Sequence, residues 1–210
     1  MIVYGATLSP FVRKTLAAAA EKGIEVENKT PPFGQPDAEF DAASPFRKIP
    51  ALKDGDFTVC DSSAIIHYFE ATKPEPALIP ADPQGRAKVI WFEEFADTIV
   101  VGAAGAMFFN RIVAPMFLKQ PGDEAAALKG EKALEPVLDY LEGLAPAPGG
   151  FLVGDGLTLA DLAVASPFAN LRHLKFDLTR WPKTRAWVDS VLERPSFAGM
   201  VARESRMFGG

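Results

Sequence analysis

Two hydrophobic rhythms divide the chain. Up to about residue 75, short apolar or alternating runs are separated by helical ones; beyond it, apolar positions recur at helical spacing. Residues 2–4 (IVY) predict a first strand, and residues 24–29 (IEVENK) alternate as a half-exposed strand does. Between them lies LSPFVRKTLAAAAEKG. Ser9 is a preferred N-cap, Pro10 fits the first helical position, Ala17 to Ala20 are good helix formers, and Gly23 suits the left-handed residue past a helix end. TPPFGQPDAEFDAASPF, with four prolines, predicts a loop holding one short helix around 38–42. Residues 49–52 and 57–59 flank KDGD, whose Asp54–Gly55 pair signals a hairpin turn. A helix then starts at Ser62 or Ser63 with Ile65, Ile66 and Phe69 inward. The order is β-α-β-(α)-β-β-α, an α/β domain over residues 1–75.

TKPEPALIPADP has four prolines and no periodicity, so residues 76–85 read as a linker. Residues 86–210 read as all-helical. A long helix follows the linker and is expected to end at Pro115. Leu134, Leu138, Leu141 and Leu144 mark a second, which Pro136 should kink or bound. In GLTLADLAVA, Thr158 and Asp161 have capping-box spacing and Leu157 and Leu162 staple spacing, so Asp161 is expected to fold a helix start and not to catalyse. Trp181-Pro182 opens another helix and Arg194-Pro195 stops it.

Composition narrows the class. A net charge of −5 and a pI near 5.2 give no broad basic surface, so neither nucleic acid nor anionic membrane is an expected partner. Residues 98–109 are too short for a bilayer span and hold two glycines, which suits a helix meeting another closely. With no basic or long apolar stretch after Met1, a soluble cytoplasmic protein is expected. Cys60, the only cysteine, excludes an intrachain disulfide or a CxxC site, and no metal site is expected.

LSPFVRK, RKIPAL at 47–52, DSSAI at 61–65, LIPADPQGRA at 78–87 and GLTLADLAVA at 156–165 occur in an order and spacing that resemble the cytosolic glutathione S-transferase superfamily, over nearly the whole chain. SPF at 9–11 resembles its serine-using branch (theta, phi, tau and related bacterial forms). The resemblance implies a thioredoxin-like glutathione-binding domain and a helical domain lining the pocket for an apolar electrophile. It implies glutathione as co-substrate, a homodimer, and Ser9 as donor to the glutathione thiolate, with conjugation as the reaction. Ether cleavage, dehalogenation, isomerisation and peroxide reduction are variants within the family, and a non-catalytic binding module is the alternative.

The donor role is sufficient in energy. Lowering a thiol pKa of about 8.5 by two units takes about 2.7 kcal/mol, and one charge-assisted hydrogen bond supplies about 1.5–3 kcal/mol. The resemblance further implies a cis bond between Ile49 and Pro50, with the Ile49 backbone pairing with the cysteinyl part of glutathione. Ser62 N–H would hold the γ-glutamyl carboxylate. Asp61 would meet the amino group, although the family more often has Glu there. Lys48 or Arg47 would meet the glycyl carboxylate. Leu8, Phe11, Phe33, Phe108, Arg111 and Ile112 are the expected pocket, with Met107, Phe109 and Met116 beside them. Tyr4 is expected in the core, and His67, His173 and Cys60 in structural or surface roles.

Overall fold

The computed structural model describes residues 1–32 and 34–208. Strands β1 (Ile2–Tyr4), β2 (Glu27–Lys29), β3 (Ala51–Asp54) and β4 (Phe57–Cys60) form one sheet in the order β2-β1-β3-β4. β1 runs parallel to β2 and antiparallel to β3, with Val3 opposite both Asn28 and Leu52. β3 begins later than the apolar run at 49 suggests, because the Ser44 hydroxyl takes both the N–H and the carbonyl of Lys48 and delays the ladder. The period of a strand sends alternate side chains to opposite faces. Val3 accordingly packs with Leu52, Ile65 and Phe69 under α1 (Pro10–Glu21) and α3 (Ser62–Thr72). Tyr4 packs with Phe40 and Ala43 of α2 (Ala38–Ala43) on the other face, and its hydroxyl donates to Glu39. This is a thioredoxin-like domain.

The remainder is helical. α4 (Pro83–Glu94) and α5 (Val101–Phe108) join through π-helical turns at Phe95–Val100, and a second π-helical stretch, Phe109–Leu118, extends them into one rod. Pro115 lies inside the rod and does not end it, contrary to expectation. The wider π turn moves the proline ring off the carbonyl of the preceding turn, and the rod ends instead at Lys119, left-handed at φ 55°. The rod's 36 residues, with a window of mean hydropathy 1.5, could cross a bilayer by length and composition. Its inner side is instead packed on protein. Ala103 and Met107 lie against α6 (Glu124–Leu144), where a Cβ on Gly130 would come within 2.6 Å of the Ala103 carbonyl. Pro136 sits within α6. At the centre lies α7 (Leu159–His173), buried at every residue from Leu159 to Leu171. α8 (Pro182–Leu192) and α9 (Pro195–Met207) pack around it; α9 carries no signal beyond its proline start.

α1 is enclosed by both halves, so its charges have no water to face. Arg13, Lys14 and Lys22 are each at most 1% exposed. Burying a charge is costly unless it is paired. Arg13 pairs with Glu204 at 2.7 Å, Lys14 with Glu93 at 2.9 Å and Asp97 at 2.5 Å, and Lys22 with Glu70 at 2.7 Å. Arg13 and Lys14 thus tie α1 to α9 and to the rod.

Asp97 yields a pH prediction. Burial pushes its carboxyl up from 3.8 to about 6, and the Lys14 ammonium only partly offsets this. Between about pH 4 and 6 the folded chain keeps a proton there that the unfolded chain releases, so this group's contribution to stability is full at low pH and lost as pH rises through 6. Urea unfolding at pH 4, 5 and 6 should show Asp97→Asn gaining stability relative to wild type as pH rises. A constant difference across the series would contradict the assigned shift.

Candidate active site

Ser9 caps α1, with φ −75° and ψ 124°, and Pro10 follows at the first helical position. The cap bond is long: Val12 N–H reaches Ser9 Oγ at 3.5 Å. Ser9 Oγ only accepts in that bond, and among the described residues its hydroxyl donates to no partner, so its proton is free at the cleft between the two halves. There a cavity of about 340 Å³ is lined by Ser9, Leu8 and Ile49 from the α/β side and by Gly105, Phe108 and Phe117 from the rod, among others. Among the described residues, every lining side chain apart from Ser9 and Asn170 is apolar.

Leu8 and Phe108 are brought to this cavity, and Phe109 with them. Phe11, Arg111 and Ile112 are not among its lining residues. Phe33 lies outside the described residues. The reason for the shift along the rod is helical pitch. Val101, Gly105, Phe109, Val113 and Phe117 recur at intervals of four, a row that an unbroken α-helix rotates steadily away and that α turns followed by wider π turns bring back to one face. Arg111 instead faces α6, where its guanidinium pairs with Glu124 at 2.6 Å and Glu131 at 3.0 Å. Met107 is core, fully buried.

The Ile49–Pro50 bond is cis, as is Glu75–Pro76 in the segment before α4. Asp61 is left-handed at φ 86° and caps α3: its Oδ1 accepts from Ser63 N–H at 2.9 Å and Ala64 N–H at 3.2 Å. Ser62, the first residue of α3, is buried, while the neighbouring Ser63 hydroxyl donates to Glu93. Arg47 is held by Asp41 and by the Gln35 carbonyl. Lys48 is exposed and, among the described residues, makes no ion pair. Tyr4 hydrogen-bonds Glu39 away from the cavity, and burial raises its phenol above the ordinary value, so it stays protonated.

Asn170 lines the cavity without having been expected there. The signal was present: Ser166 and Asn170 are polar residues one turn apart in the otherwise apolar LAVASPFANL at 162–171. His173, also on α7, meets Glu204 at 3.0 Å as part of the buried ion cluster. Among the described residues no cluster of potential metal ligands occurs.

With this geometry in view, comparison with known proteins gives concordant findings. The glutathione S-transferase N-terminal domain family matches residues 3–77, and the corresponding C-terminal domain family matches residues 106–195. A probable maleylacetoacetate isomerase of Drosophila melanogaster is 35% identical over 144 residues, 69% of this chain and 55% of that protein. A glutathione S-transferase of Hyoscyamus muticus is 30% identical over 96% of this chain and 97% of its own length. Among solved structures, glutathione S-transferase-I bound with lactoylglutathione superposes with a TM-score of 0.84 at 27% identity, covering 96% of this chain and 98% of that one.

Proposed function

The chain belongs to the cytosolic glutathione S-transferase superfamily, and from that premise we propose that it conjugates glutathione to neutral apolar electrophiles with the Ser9 hydroxyl holding the thiolate. It is a glutathione transferase with glutathione as co-substrate. The observation that carries the finer reading is Ser9 at the start of α1, loosely capped and opening on an apolar cavity. The first turn of α1 adds its dipole to the hydroxyl, and both favour an anion at that point. Glutathione lies across Ile49, Pro50, Asp61 and Ser62. Ser62 N–H takes the γ-glutamyl carboxylate at the α3 start, because Asp61 already satisfies the N–H groups of Ser63 and Ala64. The Asp61 oxygen not used for capping meets the amino group. Lys48 meets the glycyl carboxylate, since Arg47 is engaged with Asp41.

Electrophile preference follows from the lining. Among the described residues no lysine, arginine or histidine lines the cavity, and a carboxylate buried there would lack a counter-charge. An activated aryl halide should therefore be turned over at least ~10-fold more efficiently, by kcat/KM, than its carboxylate-bearing analogue. Equal efficiency would contradict the assignment of this cavity as the second-substrate site. Isomerisation is a second reading, favoured by the identity to a relative named as an isomerase. Glutathione-dependent cis–trans turnover of a neutral enone, set beside conjugation of an aryl halide, separates the two. A non-catalytic module would show neither activity, and calorimetry separates it from the enzyme by the absence of glutathione binding.

We also propose a homodimer. Trp91 stacks on Phe95 and meets Tyr140 edge-on across α4 and α6, yet Trp91 and Tyr140 remain 46% and 43% exposed, with Leu144 exposed one turn beyond Tyr140. An apolar helix surface of this kind marks an interface. Sedimentation at micromolar concentration should give twice the 22.6 kDa of one chain, and a single-chain mass would contradict the dimer.

A further inference from the structure

Ser9 has a weak hold on its own helix, yet the peptide groups around it are fixed from far away in the sequence. The carbonyl of Leu8, just before it, accepts from Asn170 Nδ2 at 3.1 Å. The carbonyl of Pro10, just after it, accepts from the Ser166 hydroxyl at 2.8 Å. Both donors belong to α7, one turn apart, and both are buried. Ser9 N–H is itself tied to the Ala6 carbonyl at 3.0 Å. Every backbone constraint nearest the hydroxyl, apart from that turn and the first turn of α1, thus comes from the helical half.

The donors are oriented in their turn. Arg13 Nη2 donates to Asn170 Oδ1 at 2.9 Å, and Arg13 Nη1 donates to the Ser166 carbonyl at 2.7 Å. A guanidinium can only donate and a carbonyl can only accept, so the Asn170 amide has one possible orientation, with its NH₂ toward Leu8. Glu204 holds Arg13 through both carboxylate oxygens and also meets His173. The chain of contacts runs Glu204–Arg13–Asn170–Leu8 carbonyl, with Ser166 in parallel.

We propose that Ser166 and Asn170 are positioning residues for the thiolate: by fixing the carbonyls on either side of Ser9 they set where its hydroxyl points, and so couple the helical domain to sulfur activation. The inference rests on Ser9 being the thiolate donor. A hydrogen bond to sulfur weakens steeply with misdirection, and displacement of a catalytic group by ~1 Å can cost on the order of 100-fold in rate. Loosening one of two anchors should cost less, roughly 10-fold near neutral pH.

The test is spectrophotometric titration of the thiolate of bound glutathione, with kcat/KM measured against pH, in Ser166→Ala, Asn170→Ala, Ser9→Ala and the two double variants. Ser166→Ala and Asn170→Ala should each raise the bound thiol pKa and lower kcat/KM roughly 10-fold near pH 7, with the loss shrinking at high pH where all glutathione is thiolate. In the Ser9→Ala background neither should have a further effect on the thiol pKa. Ser166→Ala removes a single oxygen and keeps the packing, so it carries the test if Asn170→Ala does not fold. If Ser9→Ala moves the thiol pKa and Ser166→Ala does not, positioning by α7 is wrong and the role of Ser9 stands. Positioning by α7 is equally wrong if the α7 variants act undiminished when the Ser9 hydroxyl is gone. If Ser9→Ala leaves the pKa unmoved, both inferences fall.

Discussion

Ser9→Ala should cut thiolate-limited turnover by about tenfold to hundredfold near neutral pH, while glutathione affinity changes much less. The magnitude follows from losing one charge-assisted hydrogen bond worth about 1.5–3 kcal/mol. In the proposed binding mode affinity is spread over Ile49, Asp61, Ser62 and Lys48, none of which is touched. The stability cost should be small, about 0.5 kcal/mol, the low end for a lost cap, because the Val12 N–H to Ser9 Oγ distance is already 3.5 Å. Ser9→Gly isolates the chemistry further. Glycine is a tolerable N-cap without a hydroxyl, so that variant should melt close to wild type and still be nearly inactive. Steady-state kinetics beside a thermal melt distinguishes the two contributions; a Ser9→Gly enzyme with full turnover would reduce Ser9 to a cap.

Asp161→Ala should cost about 3–5 kcal/mol of folding stability. Capping-box spacing by itself predicts about 0.5–2 kcal/mol. The structure adds to that. Asp161 is fully buried, its Oδ2 accepts from Thr158 N–H at 2.8 Å and from the Thr158 hydroxyl at 3.0 Å, and its Oδ1 accepts from Leu152 N–H at 2.7 Å. Alanine would strand two backbone donors, one of them in the segment that precedes the central helix, and each costs about 1–3 kcal/mol when buried without a partner. Burial raises the Asp161 carboxyl, and these donors pull it back, which fits a structural group held away from water. Denaturant unfolding should show the loss, with activity per folded molecule unchanged. An inactive variant as stable as wild type would place Asp161 in the chemistry instead.

What the sequence made legible is what depends on neighbours in the chain. Caps at Ser9 and Thr158, the left-handed Gly23 and the Asp54–Gly55 turn are local signals, and the structure has the corresponding elements. The order of strands and helices in the α/β half follows from such signals alone. What stayed hidden depends on partners remote in sequence or on helical pitch. Arg13 and Lys14 in α1 carry no local mark of burial and are buried because a second domain covers the helix; only the surrounding alanines, which fit a helix packed on all sides, hint at it. The rod's π turns have no marker that distinguishes them from α-helix, so the residues expected in the pocket fell on Arg111 and Ile112 where Val113 and Phe117 stand. Asn170 escaped for the same reason as Arg13: its partners, Leu8 and Arg13, lie more than a hundred residues away.

The role of Ser9 meets its most direct test in the titration of glutathione bound to wild type and to Ser9→Gly, followed by the ultraviolet absorbance of the thiolate. Bound to wild type, the thiol should ionise about two units below its free value of about 8.5, and in Ser9→Gly it should return upward by about one to two units. Identical titration curves for the two proteins would contradict a thiolate held by the Ser9 hydroxyl.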